Sequence, residues 1–166
     1  RWWLVTPDGA PFFSTGVCHV NINGYPEQGT GACPYCDAVA ALYVDATAWR
    51  VATEDRLRAW GFNTIGSWSS DALFAATMPY TVNLTMSGAD WLTGTVPDYF
   101  DPAFEAHCAD VAASKVASRN DDPQLIGWFI DNEMRWGPDW RKETTLLEDY
   151  LALPDGAHGR RVAETW

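Results

Sequence analysis

Apolar positions along this chain fall into short strand-like stretches with helical spacing between them. The clearest is Leu125-Ile126-Gly127-Trp128-Phe129-Ile130, which runs directly into Asp131-Asn132-Glu133. Strands covered on both faces read as continuous apolar runs, so this segment is expected to be a buried parallel strand. Three further parallel strands are expected near residues 12–17, 63–67 and 80–84. Trp49, Thr53, Leu57 and Trp60 recur at helical spacing, and Gly61 stands where a helix end takes a left-handed residue. Asp101-Pro102 opens another helix, with Asp as N-cap and Pro at the first helical position. Phe104, Cys108, Val111 and Ala112 line its apolar side, and Asp121-Asp122-Pro123 stops it. A last helix is expected to carry Trp140, Thr144, Leu147, Tyr150 and Leu151 on one face.

Ahead of these elements, Pro7-Asp8-Gly9 is a turn signal between two short apolar arms. It predicts a β-hairpin whose second arm continues as the first core strand. The stretch from Cys18 to about Cys36 is rich in Gly and Pro and poor in aliphatics, and reads as a long loop. Strands alternating with helices mean an α/β fold with a parallel sheet and right-handed crossovers. Such folds place their chemistry at the carboxyl ends of the strands, so the rim residues become candidates. These are His19, Asn21 and Asn23 after the first strand, Trp68 and Ser69 after the second, and Asp131, Asn132 and Glu133 after the last. Plain strand alternation puts Asp131 on the same face as Glu133 and turns Asn132 away.

The 166 residues are 47% hydrophobic, enough for one domain with a substantial core. Ten Trp, six Tyr and seven Phe are an unusual supply of flat apolar faces. Aromatic side chains fill cores, but they also match the C–H faces of sugar rings, which brings carbohydrate into view as a ligand. A net charge of −11 with no basic patch repels a polyanion, so nucleic acid is not an expected partner. No apolar stretch approaches the roughly 18 residues of a membrane span, and Arg1-Trp2-Trp3 resembles neither a start methionine nor a signal peptide. The segment is expected to derive from a longer precursor.

Two motifs carry a resemblance over most of the chain outside the Cys-containing loop. They are Arg56-Leu57-Arg58-Ala59-Trp60-Gly61-Phe62-Asn63-Thr64-Ile65-Gly66-Ser67-Trp68-Ser69 and Leu125–Glu133. With them the chain resembles the N-terminal half of the retaining (β/α)₈-barrel glycoside hydrolases that carry Asn-Glu at the end of strand four, nearest the β-agarase-like branch. The resemblance implies a partial (β/α)₈ TIM barrel of about four strand–helix units after the hairpin, one partial catalytic domain over residues 1–166, and no cofactor or metal. It implies β-agarase-like or β-galactosidase-like cleavage of an oligo- or polysaccharide, with Glu133 as general acid/base and Asn132 holding the sugar 2-hydroxyl. Trp136 joins the substrate-binding candidates. The clan's nucleophilic Glu lies on strand seven, and a full barrel needs about 250 residues, so the nucleophile is expected outside this chain. Both carboxylates are required because one protonates the leaving oxygen while the other, roughly 5–5.5 Å away, attacks the anomeric carbon.

Cys33-Pro34-Tyr35-Cys36 resembles the redox site of glutaredoxins, and Thr95-Val96-Pro97 echoes the segment that packs against it. That site needs a strand leading into its first Cys, whereas Glu27-Gln28-Gly29-Thr30-Gly31-Ala32 precedes it here. A disulfide, or a metal site drawn from Cys18, Cys33, Cys36 and Cys108 with His19, is the preferred reading. A thiol-redox or metal module, or a non-catalytic carbohydrate-binding protein, stands as the alternative. Four cysteines suit an oxidising compartment, extracellular or periplasmic. His107 and His158 are weak candidates, and the glycosylation pattern Asn83-Leu84-Thr85 falls in an expected core strand. A half-barrel leaves unpaired strand edges, so association with a second copy or with the missing half is expected.

Overall fold

The computed structural model describes residues 2–75 and 77–166, which gather into two compact units. One comprises the chain up to Val82 together with Pro123–Gly127, and the other Asn83–Asp122 together with Trp128–Trp166.

The first unit opens with an antiparallel hairpin of β1 (Leu4–Val5) and β2 (Pro11–Phe12), in which Leu4 faces Phe12. Gly9, at φ +86°, closes the turn by donating its N–H to the Thr6 carbonyl at 2.8 Å. The hairpin arm does not run on unbroken into the sheet: β3 is only Gly16–Val17. Between them the Asn63 side-chain amide takes the place of ladder bonds. It accepts from the Thr15 N–H at 2.7 Å and donates to the Phe13 carbonyl at 2.9 Å.

β3 is followed in the sheet by β4 (Thr64–Ile65), β5 (Tyr80–Asn83) and β6 (Leu125–Phe129), parallel and in sequence order. Gly16 pairs with Thr64, and Ile65 with Tyr80. A Cβ on Gly16 would stand 3.3 Å from Thr64, so a larger residue would crowd this two-residue strand. The four strands stand where the hydrophobic pattern predicts them, with the first two reduced to two residues each.

Helix α1 (Pro34–Leu42) occupies the end of the stretch expected to be loop and runs well beyond it. Its N-cap is Cys33, whose Sγ accepts from the Cys36 N–H, a weak substitute for the Ser, Thr or Asp that marks most helix starts. Helix α2 (Ala46–Ala59) carries the expected spacing and Gly61, at φ +84°, follows its end; its start is capped by Asp45, which accepts from the Ala48 N–H at 2.8 Å. Trp49, Thr53 and Leu57 are buried on it, and the core of this unit adds Ile65, Leu73, Met78, Tyr80 and Val82. Glu54 is buried on the same helix. Burial pushes its carboxyl up, but hydrogen bonds from Thr77 and Arg58 and the Arg58 charge outweigh that and hold it below its ordinary value.

In the second unit, Asp101 caps α3 (Pro102–Val111) through the Ala103 N–H at 2.8 Å, and the helix continues into one π-helical turn, Ala112–Val116. The expected last helix is shorter than its apolar spacing implied. Trp140 lies in a tight turn in which Asp139 and Lys142 bridge, and α4 begins only at Leu146. Thr145 and Glu148 form its capping box, a start signal stronger than the spacing that precedes it. A further helix, α5 (His158–Thr165), packs Gly159 onto the Tyr150 ring with no room for a Cβ. Arg135, 3% exposed, ties the loops together. It donates to the Gly94 carbonyl at 2.9 Å, to the Gly137 carbonyl at 3.2 Å, to the Thr144 carbonyl and to Asp149. No described helix is long and apolar enough to cross a membrane.

Candidate active site

In the second unit, the polar triplet begins where strand geometry ends. The Phe129 and Ile130 carbonyls accept from the Leu84 and Met86 N–H groups, both at 2.9 Å, which extends the pairing past β6. Asp131 then turns back onto the neighbouring segment. Its two carboxylate oxygens accept from the Ser87 N–H and hydroxyl, each at 2.7 Å, so this half-buried acid latches residues 84–88 to the end of β6. Asn132 is exposed. At Glu133 the backbone enters the left-handed region, φ +46°, so strand alternation no longer decides where residues 132 and 133 point.

The Glu133 side chain is exposed, and its Oε2 accepts from the Trp91 indole N–H at 3.2 Å. Trp91 meets Trp140 edge to face at 5.5 Å, and the Arg141 guanidinium lies 5.6 Å from the Trp140 ring. Arg141 also donates to the Glu133 carbonyl at 3.0 Å. Its hydrogen bonds to Asp139 hold that carboxyl below its ordinary range and raise the guanidinium further, so both stay charged. Trp136 is 74% exposed. This corner thus presents one solvent-facing carboxylate, indole faces that an apolar sugar surface fits, and a fixed cation behind the carboxylate's own backbone.

In the first unit, the segments after β3 and β4 are laced together. His19 and Trp68, both with left-handed backbone at φ +58° and +61°, stack with ring centroids 5.0 Å apart. Gly66 is required beneath them, because a Cβ there would stand 2.6 Å from the Cys18 sulfur. The Ser69 hydroxyl is buried, accepting from the Val20 N–H at 3.2 Å and donating to the Gly66 carbonyl at 2.8 Å. Ser70 donates to the Asn21 side chain at 3.3 Å, and the Tyr35 hydroxyl donates to the Asn21 carbonyl at 2.8 Å. Asn23 is exposed. His19 and Trp68 are therefore brought together as rings, Asn21 is tied to Ser70 beside them, Ser69 is spent on the backbone, and Asn23 is not drawn into this group.

Cys33 and Cys36 form a disulfide, and Cys18 and Cys108 are free thiols. That sets aside a metal site built on these cysteines with His19. Among the described residues no group of three or more His, Cys, Asp or Glu is placed to hold a metal. Residues 24–33 contain no strand, so the Cys-Pro-Tyr-Cys segment lacks the entry strand of a glutaredoxin-type site. His107 stacks on Phe104, and His158 lies 3.5 Å from Asp101.

Trp91, Trp140 and Arg141 were not anticipated as site residues. Trp91 does follow the third strand at its carboxyl end, inside the Asp90-Trp91-Leu92-Thr93-Gly94 turn, so the rule that selected the other rim residues had a place for it. Arg141 offers no local signal, since its role depends on a carbonyl eight residues away.

No family model matches the chain. It is 29% identical to Beta-agarase A of Vibrio sp. (strain JT0107) over an alignment of 189 positions that takes in 82% of this chain and 19% of that protein. It is 30% identical to Beta-agarase B of the same organism over 99 positions, 54% of this chain and 10% of that protein. The chain thus spans about a fifth of the first relative and a tenth of the second. A crystal structure of BpGH50 superposes with a TM-score of 0.63 at 16% identity, covering 97% of this chain and 37% of the other. The α/β fold with its parallel four-stranded sheet is therefore shared with part of a solved protein.

Proposed function

We propose that this chain is part of the catalytic domain of a retaining glycoside hydrolase, contributing the first four strands of a (β/α)₈ barrel and the general acid/base, Glu133. The observation that carries the reading is the placing of Glu133: a solvent-facing carboxylate just past the last parallel strand, with one oxygen engaged by an indole N–H and the other without a hydrogen-bond partner among the described residues. The likeness to Beta-agarase A and Beta-agarase B supports an agar-type polysaccharide as substrate. The exposed indoles of Trp91, Trp136 and Trp140 supply stacking faces for it.

In this reading the Glu133 carboxylic acid gives its proton to the glycosidic oxygen as the bond to the anomeric carbon breaks. A second carboxylate, outside this chain, attacks that carbon, and Glu133 then takes a proton from the water that releases the product. Asn132 contacts the sugar beside Glu133, while Asp131 holds the backbone that presents both through its bonds to Ser87. The Cys33–Cys36 disulfide is a structural staple.

The test is Glu133→Gln and Glu133→Ala in the full-length protein. Loss of about 10²–10⁴-fold in turnover of the polysaccharide is expected for each. With an aryl glycoside whose leaving group needs no protonation, azide should restore turnover of the alanine variant and yield a glycosyl azide of retained configuration. Unchanged polysaccharide hydrolysis by both variants would remove Glu133 from the chemistry.

A further inference from the structure

Glu133 is held in a backbone conformation that glutamate rarely adopts, φ +46°, at a position where its side chain must be aimed. Nothing within the triplet enforces this. What meets the residue is Arg141, whose side chain is only 7% exposed. Its Nε and Nη2 donate to Asp139 Oδ2 at 2.9 and 2.5 Å, and its own backbone N–H donates to Asp139 Oδ1 at 2.8 Å. With that edge fixed, the opposite nitrogen, Nη1, reaches the Glu133 carbonyl at 3.0 Å and the Trp91 carbonyl at 3.5 Å. The Cβ of Arg141 lies close over Gly94, at 3.2 Å from where a glycine side chain would begin, which seats the arginine against the turn that carries Trp91. One planar cation therefore joins the backbone of Glu133 to that of the residue whose indole N–H meets its carboxylate.

We propose that Arg141, locked on Asp139, is the positioning residue for Glu133: it holds the carbonyls of residues 133 and 91 together, so that the Trp91 N–H occupies Oε2 and leaves Oε1 to carry the proton. The proposal deepens the reading of Glu133 as acid/base and rests on it for its catalytic meaning, though the geometry stands apart from activity. A guanidinium suits the task because its donors point in fixed directions along both edges of one plane. A lysine ammonium held by Asp139 has no second edge with which to reach the two carbonyls. Charge alone would survive Arg141→Lys; this arrangement does not.

The experiment follows the Trp91 indole N–H resonance, assigned by its loss in Trp91→Phe, in the ¹⁵N-labelled 166-residue chain as pH crosses the carboxylate range. In the unsubstituted chain the resonance should move in one step, and Glu133→Gln should abolish that step. Arg141→Met, which keeps the stem and removes the donors, should reduce the step at least about fivefold while the rest of the spectrum keeps its dispersion. Arg141→Lys should fail to restore it. If Arg141→Met loses the folded spectrum, Asp139→Asn is the second variant, expected to weaken the step in a folded chain. A step of full size in Arg141→Met or Arg141→Lys overturns the proposal, as does a step that survives Glu133→Gln. In the full-length protein Arg141→Met should lower kcat about tenfold or more with KM within about twofold. Should Glu133→Gln keep full turnover while the indole step behaves as described, the acid/base reading fails and the positioning geometry stands. Should Glu133→Gln abolish turnover while Arg141→Met keeps the indole step, the reverse holds.

Discussion

A single arginine at position 135 does for the second unit what an apolar core does elsewhere. Its buried guanidinium serves three loop carbonyls and one carboxylate, while Asp149 keeps a second cation, Lys142, at 2.8 Å. Removing the arginine therefore leaves Asp149 paired but takes the donor from the buried Gly94 carbonyl and from the half-buried Gly137 and Thr144 carbonyls. Arg135→Ala is expected to destabilise the fold by about 3–5 kcal/mol, read as a lower urea midpoint, and Lys142→Ala by about 1 kcal/mol or less, since that side chain is 37% exposed. Equal effects of the two would mean that the charge on Asp149, rather than the carbonyls, is what Arg135 serves. Nothing in the sequence around Arg135 announces this role, because its acceptors lie up to 41 residues away. The place of Glu133 just past the last strand was legible for the opposite reason: its signal is local, an apolar run ending in a carboxylate. The left-handed backbone at His19, Trp68 and Glu133 was not legible, since none of these residue types requires it.

Elements were readable where the local chemistry was of a common kind. Asp101 and Gly61 mark helix ends by a side-chain oxygen and by a residue free to take a positive φ, and the structure uses both that way. Helix α1 escaped notice because a cysteine sulfur caps it. That makes its start depend on the disulfide. Gly24 lies under Tyr35 and the Cys33 sulfur, where a Cβ would stand 2.8 and 3.2 Å away, and Tyr35 holds the Asn21 carbonyl. Reduction should raise amide exchange in residues 20–36 and leave β4 and β5 protected, with a stability loss of roughly 2 kcal/mol or less for so short a loop. Unchanged exchange after complete reduction would show that Tyr35 and Gly24 hold the segment unaided. On α2, Glu54 gives a pH signature. Its folded-state carboxyl lies below the unfolded one, so its contribution is fully present above the ordinary glutamate range and is lost as pH falls through the lowered value. Glu54→Gln should therefore cost on the order of 1 kcal/mol at neutral pH and progressively less in acid. A constant difference across pH would mean that packing, not the charge, is what the substitution removes.

At the scale of the whole chain, two tendencies oppose each other. The sheet order leaves β3 and β6 at its edges, and Phe129, the last residue of β6, and Ile130 just past it are 56% and 66% exposed. An edge strand with bare apolar neighbours is a template for pairing with another chain. Against that stands a net charge of −11, which makes two copies repel. The alternation of strands and helices was visible in the sequence, but the balance between these forces is not a local property and was legible only as an expectation that open edges associate. The two terms respond differently to salt. The Debye length falls from about 10 Å at 0.1 M to about 3 Å at 1 M, which screens the repulsion, while burial of apolar surface is not screened. The isolated chain is therefore expected to show a weight-average mass in sedimentation equilibrium that rises with concentration and rises further with added salt. Phe129→Lys and Ile130→Lys should each return it towards the monomer, since a lysine at an edge opposes pairing through both its charge and its hydration. A monomer at every salt concentration, unfolding in one cooperative step, would mean that the exposed edge of β6 is covered by some segment of this same chain.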